Sequence, residues 1–374
     1  MAKNSSLKKI DKLLKKRHKS FPQRVEPQWS NLLKEINCFA KQIKNQVKKE
    51  KLKPPEKKIY QQGLKIINRP VFIAGYYKSG TSLLLSLLDN HPQLVALTDE
   101  SVYFSLFLPK YGHLPRQKKI DQLVDLWLRK LITPSGKPPF WILEKTKKGY
   151  QQFVNNFYWL TKKQAKKDLL ALVALAYFLT TASSKLETDF KVKYWLEKTP
   201  TNEFYLQQIV KLYPQAKFIH LLRDPRSIIA SIQKLEKEKS QSKGFVFSLK
   251  KLVYFFYHLI RIKRSFSLAF KNQAMIGKEN YLVVSYEELV KQSEKTVKRV
   301  ADFLKIKYLP ILLKPTTAGR SMIANSAWNK GRVKGRINQQ SLRQWEKELS
   351  KIELSLINLI VGRVGSSWGY DLKA

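Results

Sequence analysis

One cysteine, Cys38, stands among 374 residues, so no disulfide framework and no cysteine-rich zinc site can form within the chain. The five histidines are scattered and show no metal-ligand spacing. Long apolar runs are also missing. The longest, Leu169 to Thr180, falls short of the roughly 18 residues a membrane span needs and reads as a buried core helix. No apolar stretch follows Met1, so no secretory leader is expected, and a soluble, cytoplasmic setting is the default reading. Acidic side chains are scarce: 28 Asp and Glu face 71 Lys and Arg, a net charge of +43. With 43% hydrophobic and 12% aromatic residues a sizeable core is available, which excludes a wholly disordered basic protein. The charge predicts an anionic partner: nucleic acid, anionic lipid, or a phosphorylated or sulfated small molecule.

The basic excess is densest at the start, where residues 1–69 hold 20 Lys and Arg against 5 Asp and Glu. Residues 1–60 read as a basic, helical, partly mobile extension ended by Pro54-Pro55, with helical spacing around Trp29, Leu32, Leu33, Ile36 and Phe39. From Arg69 the texture changes. Pro70 to Gly75 is a short apolar run suited to a buried strand, and Thr81 to Asp89 has helical character. The same strand–turn–helix order returns at Lys217–Leu222 before Arg226–Leu235, and at Tyr281–Ser285 before Glu287–Leu304. Further helices are expected near 165–186, over Thr201–Tyr213 and from about Leu342 to Val364. Strands alternating with helices predict a parallel, doubly wound sheet covered on both faces.

Two turns carry the chemistry. In Gly75-Tyr-Tyr-Lys78-Ser79-Gly80-Thr81-Ser82, a strand-to-helix turn aims backbone N–H groups at one point, a ready anion site. Gly80 allows close approach, Thr81 and Ser82 add hydroxyls, and Lys78 adds a mobile charge. Lys78 precedes Gly80, whereas a Walker A loop closes on Gly-Lys-Ser/Thr and uses the hydroxyl for Mg²⁺. An ordinary βα surface turn would read the same in isolation. The second turn, Arg223-Asp-Pro-Arg226 running on to Ser231, follows another strand's carboxyl end, where open α/β sheets bind ligands. Arg223 and Ser231 could grip one phosphate from two sides. The competing reading pairs Arg223 and Arg226 with Asp224 and leaves Ser231 a plain helix residue.

Together these residues resemble the sulfotransferases that use 3′-phosphoadenosine-5′-phosphosulfate (PAPS), the tyrosylprotein-type and bacterial branch in particular. Lys78 to Ser82 looks like their 5′-phosphosulfate loop, and Arg223 to Ser231 like their 3′-phosphate motif. Asp89-Asn-His91-Pro92, Glu197-Lys198-Thr-Pro200, and the stretches Asn325–Trp328, Ser341–Trp345 and Trp368–Tyr370 follow in family order, so the resemblance covers about 69–374. It implies an α/β, P-loop-like three-layer sandwich with a central, mostly parallel sheet flanked by helices. It divides the chain into the extension 1–60 and a sulfotransferase domain 61–374 with a helical acceptor-side insertion around 101–190.

The resemblance implies in-line, metal-independent transfer of a sulfuryl group to a hydroxyl or amine, with PAPS as co-substrate. Catalysis is then mostly positioning and electrostatic stabilisation. Lys78 would neutralise the bridging oxygen, the N–H groups of Ser79 to Ser82 would hold the 5′-phosphate, and Arg223 and Ser231 the 3′-phosphate. Lys198 and Ser326 would contact the sulfuryl group. Trp328 is the candidate adenine stack, and Lys330-Gly331-Arg332 the basic loop over the 3′-phosphate, although the family's Arg-Lys-Gly form is absent. The acceptor needs a general base. Glu100 is chosen, with Asp99 as the alternative; His91, before Pro92, reads better as a structural cap.

The acceptor is expected to be a small molecule, carbohydrate, lipid or peptide; no specific nucleic acid is expected. An anionic membrane surface is the candidate contact for the basic extension, which would make the protein peripheral to the membrane. The competing functional classes are a basic nucleic-acid-binding protein and a P-loop-type kinase.

Overall fold

Along each central strand successive side chains serve opposite faces, as the period of two requires. Val71 and Ile73 join one core with Leu196, Ile219 and Leu221, while Phe72 joins another with Trp195, Phe218 and Tyr281. A strand buried on both faces must be apolar throughout, which is why Pro70–Ala74 reads as a continuous run. The computed structural model describes residues 27–132, 143, 147–182, 191–239, 245–322, 337, 339 and 341–372.

The elements run α1 (Pro27–Lys49), α2 (Lys57–Ile66), β1 (Pro70–Ala74), α3 (Thr81–Leu88), β2 (Leu94–Ala96), α4 (Leu108–Tyr111), α5 (Arg116–Ile132), α6 (Lys147–Lys163), α7 (Leu169–Thr181) and β3 (Tyr194–Lys198). They continue with α8 (Leu206–Leu212), β4 (Lys217–Leu222), α9 (Pro225–Lys239), α10 (Phe245–Ile276), β5 (Tyr281–Ser285), α11 (Tyr286–Lys291) and α12 (Ser293–Leu304). A two-residue hairpin, β6 (Thr316–Thr317) with β7 (Arg320–Ser321), then precedes α13 (Trp345–Glu348) and α14 (Lys351–Ser366). The main sheet has the order β2-β3-β1-β4-β5, with every pairing parallel. The expected α/β sandwich is therefore present. β1 and β4 are neighbours whose following helices depart toward opposite edges, so a crevice opens above their carboxyl ends.

Helices cover both faces. α3 and α12 pack on the Val71 face; α1, α5, α6 and α7 pack on the Phe72 face, and a third cluster joins α9, α10 and α14. The boundary drawn at residue 60 does not coincide with a packing boundary. Ile36, Ala40, Ile43 and Val47 of α1 are buried in the main core, and Lys44 and Lys48 pair with Asp125 and Asp121 of α5. The stretch from 34 to 49 thus presents one apolar stripe to the domain and leaves Lys34, Lys41, Lys48 and Lys49 exposed, while residues 1–26 lie outside the described residues.

Several expected helices are subdivided. The stretch 165–186 narrows to α7, whose start is fixed by Asp168 accepting from the N–H of Leu170 at 3.0 Å. The helix expected over 201–213 opens as a 3₁₀ turn, Asn202–Tyr205. The last one divides at Ser350, where Ser350 and Glu353 form a capping box that begins α14 afresh. β3, the strand beside β1, and the 32-residue α10 were not expected at all.

Candidate active site

β1 leads into a turn built by two glycines. At Gly75 (φ 141°) a Cβ would lie 2.6 Å from the carbonyl of Leu221, so only glycine lets β1 and β4 run this close. Lys78 is left-handed (φ 70°), and the N–H of Ser79 donates back to the carbonyl of Tyr76 at 3.0 Å, closing a tight turn. Gly80 (φ 94°) caps α3, and a Cβ there would fall 2.2 Å from the ring of Tyr286. Leu83 and Leu84 both donate to the Gly80 carbonyl. The N–H groups of Gly80, Thr81 and Ser82 are then the ones that the helix itself leaves without a partner. The aligned peptide dipoles add positive potential at the same point. Ser79 is buried, and its N–H closes the turn rather than joining that group.

Arg223, at the end of β4, lies against this turn. It is 5% exposed and donates to the carbonyl of Lys78 at 2.8 Å and to that of Ser341 at 2.9 Å. Its guanidinium stacks 4.3 Å from the centre of the Tyr286 ring, and its buried Nε has no hydrogen-bond partner among the described residues. Arg226 turns away: it makes a fork with Asp224 (Nη2 to Oδ2, 2.9 Å) and lies 4.0 Å over Trp345. Ser231 is buried and donates to its own helix at Ser227 (2.8 Å), while the Ser227 hydroxyl reaches the carbonyl of Leu342 (3.1 Å). The segment beginning at Ser341 is thus held from both ends of the 223–227 turn. Tyr370 extends the clamp, donating at 2.9 Å to Glu287, whose carboxylate also accepts the N–H of Asp224.

The third contribution comes from β3. Lys198 stands opposite Ile73 at the strand's carboxyl end, and its Nζ is 2.8 Å from Glu100 Oε1. The lysine side chain is 7% exposed and the carboxylate 33%, so the pair sits at a boundary between core and solvent. Asp99 faces elsewhere, accepting the N–H of Glu100 and pairing with Lys130 at 3.2 Å. Glu197, one residue back and fully buried, points to the opposite face. It accepts from the N–H of Ser101 (3.0 Å), from Asn202 (2.6 Å) and from the Thr199 hydroxyl, and Thr199 in turn receives the N–H of Val102. Glu197 and Thr199 therefore fasten the backbone just after Glu100. Tyr77, 44% exposed beside the turn, has its hydroxyl pushed up to about 12, by desolvation first and by the Glu100 carboxylate next.

His91 is wholly buried. Its Nδ1 receives the N–H of Gln93, which assigns the proton to Nε2, and Nε2 meets the carbonyl of Lys307 at 2.8 Å. Both nitrogens are engaged in holding a loop, the capping role its place before Pro92 implied. Asp89 of the same motif receives the Thr316 hydroxyl and the N–H of Gly319 (both 2.9 Å), anchoring the β6–β7 hairpin to the end of α3. That hairpin leads toward Ser326, Trp328, Lys330, Gly331 and Arg332, which lie outside the described residues.

Behind the turn runs a chain of buried hydrogen bonds. Asn272 donates to the Tyr281 hydroxyl, which lies 2.8 Å from His220 Nδ1; His220 Nε2 meets Ser265 at 3.1 Å; Ser265 donates to Glu203 at 2.7 Å; and Glu203 receives the N–H of Gly75 at 3.1 Å. Burial lowers the His220 pKa to about 3 and raises that of Glu203, so the imidazole is neutral and serves as a relay of hydrogen bonds. Another buried histidine, His258, lies 2.6 Å from the Tyr76 hydroxyl and is likewise lowered to about 3 by burial, with Arg261 adding to the effect. Glu197 entered the sequence analysis only within the Glu197–Pro200 stretch, with no role given to it; Tyr286 and Glu203, which carry as much of this architecture, were not singled out. Only Tyr286 offered a signal, since it opens the helix after a third strand.

The sulfotransferase family model matches residues 70–310, the span from β1 through α12. The chain belongs to the sulfotransferase family. Among solved structures it is similar to the sulfotransferase domain of the olefin synthase of Synechococcus PCC 7002. That likeness has 19% identity and a TM-score of 0.52, over 87% of this chain and all of that one. It also matches the sulfotransferase domain of the curacin biosynthetic pathway (16% identity, TM-score 0.45, 81% of this chain and 98% of that one). A third match is sulfotransferase STF9 of Mycobacterium avium (15% identity, TM-score 0.40, 84% of this chain and 80% of that one).

Proposed function

We propose that this sulfotransferase moves the sulfuryl group of PAPS to a hydroxyl or amine acceptor by in-line, metal-independent transfer. The observation that carries the reading is the meeting of the β1 and β4 turns through Arg223. It gathers the unpaired N–H groups at the start of α3, a lysine in the turn and a buried arginine with an unused donor at one crevice. A site built only for a 5′-phosphate would not need the β4 arginine; a donor phosphorylated at both ends would. The residues therefore fit the donor.

PAPS would supply the activated sulfuryl group. The N–H groups of Gly80, Thr81 and Ser82 would hold the 5′-phosphate, and Lys78 would neutralise charge growing on the bridging oxygen. Arg223 and Ser231 are proposed for the 3′-phosphate, with Lys330, Gly331 and Arg332 closing over it and Trp328 stacking on adenine. Lys198, with Ser326, would bind the equatorial oxygens of the sulfuryl group. Glu100, already 2.8 Å from Lys198 and a third exposed, would take the acceptor's proton. Asp99 is less suited, since its two oxygens hold Glu100 and Lys130. The acceptor, whether small molecule, carbohydrate, lipid or peptide, would then approach from the side of the helical stretch that begins at Ser101.

The test is binding of 3′-phosphoadenosine-5′-phosphate by calorimetry, with and without EDTA, followed by mass spectrometry of cell extract incubated with enzyme and sulfur-labelled PAPS. Tight, EDTA-insensitive binding and new labelled products are expected. Equal or better binding of Mg-ATP would point to a kinase, and salt-sensitive nucleic-acid binding alone would remove the assignment.

A further inference from the structure

α10 holds 32 residues without one acidic side chain, and it carries Lys250, Lys251, Arg261, Lys263, Arg264 and Lys271. Its inner face is core: Phe255, Leu259, Ile262, Phe266 and Ala269 are buried, and His258 reaches the phosphate turn through Tyr76. At about 100° per residue, Val253, Ile260, Arg264 and Lys271 fall within a stripe about 40° wide. All four are exposed. This outer stripe is apolar in its first half, with Val253 at 51% and Ile260 at 41% exposure, while Leu252, 48% exposed, lies about 100° away from it. It is basic in its second half. Ten large apolar side chains are exposed among the described residues; five are on α10, and two more, Ile352 and Leu359, are on α14, which packs against it.

The charge decides what can cover this face. A second copy laid on it would set Arg264 and Lys271 against like charges in a parallel pairing and against Ile260 and Val253 in an antiparallel one, with no acid on the helix to offset them in either. A nucleic acid would satisfy the basic half and leave Val253 and Ile260 in water. An anionic bilayer meets both needs, because acyl chains take the apolar side chains and headgroup phosphates take the lysines and arginines. No described helix is long and apolar enough to cross a membrane, so contact through α10 would lie in the interface plane. We propose that the outer face of α10 docks this protein on an anionic lipid bilayer, one helix thickness from the phosphate turn.

The full chain is floated with vesicles of phosphatidylcholine alone and of phosphatidylcholine with phosphatidylglycerol. Binding to the anionic vesicles only is expected. Val253→Ser/Ile260→Ser keeps the net charge and every basic residue, including those near the amino terminus, yet should lower the vesicle partition at least about tenfold. Leu252→Ser should lower it less, and unchanged melting curves would show that the variants fold. Equal flotation of parent and double variant would overturn the proposal, since the basic residues elsewhere would then suffice. Binding to neutral vesicles alone, a dimer that the double variant dissolves, or a loss of duplex DNA affinity in that variant would overturn it as well.

Discussion

The guanidinium of Arg223 donates at 2.8 Å to the carbonyl of Lys78, a bond across 145 residues of sequence that joins the turns after β1 and β4. Its second arm holds Ser341, and its plane rests on Tyr286. A lysine has one point charge and no plane, so Arg223→Lys cannot keep all three contacts. Loss of these internal charged hydrogen bonds, at about 1.5–3 kcal/mol each, should lower the stability of the fold, and the loosened turn should bind 3′-phosphoadenosine-5′-phosphate more weakly. Calorimetry on folded variant checks this, and unchanged affinity would remove Arg223 from the donor site.

Gly80→Ala should both destabilise the protein and weaken donor binding. The residue sits at φ 94°, and the new Cβ would meet the Tyr286 ring at 2.2 Å. Left-handed strain costs of order 1–3 kcal/mol, and the ring must also move. In the double variant Gly80→Ala/Tyr286→Ala the steric part is relieved while the backbone part stays. Urea unfolding of the four species isolates the coupling; strict additivity would mean that the ring yields freely.

Lys198 and Glu100 are paired at 2.8 Å but are given different tasks. Glu100→Gln should lower kcat by about 10²–10⁴ and leave donor affinity nearly unchanged, because proton transfer is what it loses. Lys198→Ala should lower kcat with a smaller effect on acceptor KM. If Glu100→Gln keeps full turnover while Asp99→Asn abolishes it, the base assignment reverses.

Two buried neutral histidines predict an acid-sensitive fold. His220 and His258 are each lowered to about 3 in the folded protein, against an ordinary value near 6.5. As pH falls below about 6.5 the unfolded chain takes up protons that the native one refuses, so stability decreases by up to about 1.4 kcal/mol per pH unit for each histidine until the native values are reached. Glu203, raised by burial, works in the opposite direction at the acid end. Urea midpoints at pH 7, 6 and 5 should fall steadily, and His258→Asn should flatten that slope. An unchanged slope would mean that His258 is protonated in the native state.

Raising the pH has no such effect on the turn itself, because Tyr76 is pushed well above its ordinary value by burial and Tyr77 to about 12. Donor binding is therefore expected to stay constant between about pH 7 and 9. A fall in affinity over that range would indicate that a group other than these tyrosines titrates in the crevice.

Some of this was legible in the chain. β1 and β4 were readable because a strand buried on both faces must be apolar along its length, β5 because Tyr281 to Val284 is a short apolar run, and Gly80 and Pro225 mark the starts of the helices after β1 and β4. β3 was not. Its sequence, Tyr-Trp-Leu-Glu-Lys, ends in two charges that a buried strand should not carry. They are tolerated because Ser101, Thr199 and Asn202 satisfy Glu197 on one face and Glu100 meets Lys198 on the other. Thr199 and Asn202 are close in the chain, but Ser101 and Glu100 come from a segment almost 100 residues away. α10 escaped for the reverse reason: apolar residues run almost all round it, so no single stripe announces a helix.

The amino-acid sequence by itself determined the alternation of strands and helices, the two turns that carry Lys78 and Arg223, and the large basic excess, because each rests on short-range periodicity or on composition. The tertiary structure decided which partner each charge meets. It turned Arg226 onto Asp224 and Trp345, set His91 to hold a loop, tied Asp99 to Lys130, and left Arg223 buried against the Lys78 carbonyl with one donor unused. The physical reason is that a charge acquires a role from its partners and its burial, and both are fixed by contacts between residues far apart in the chain.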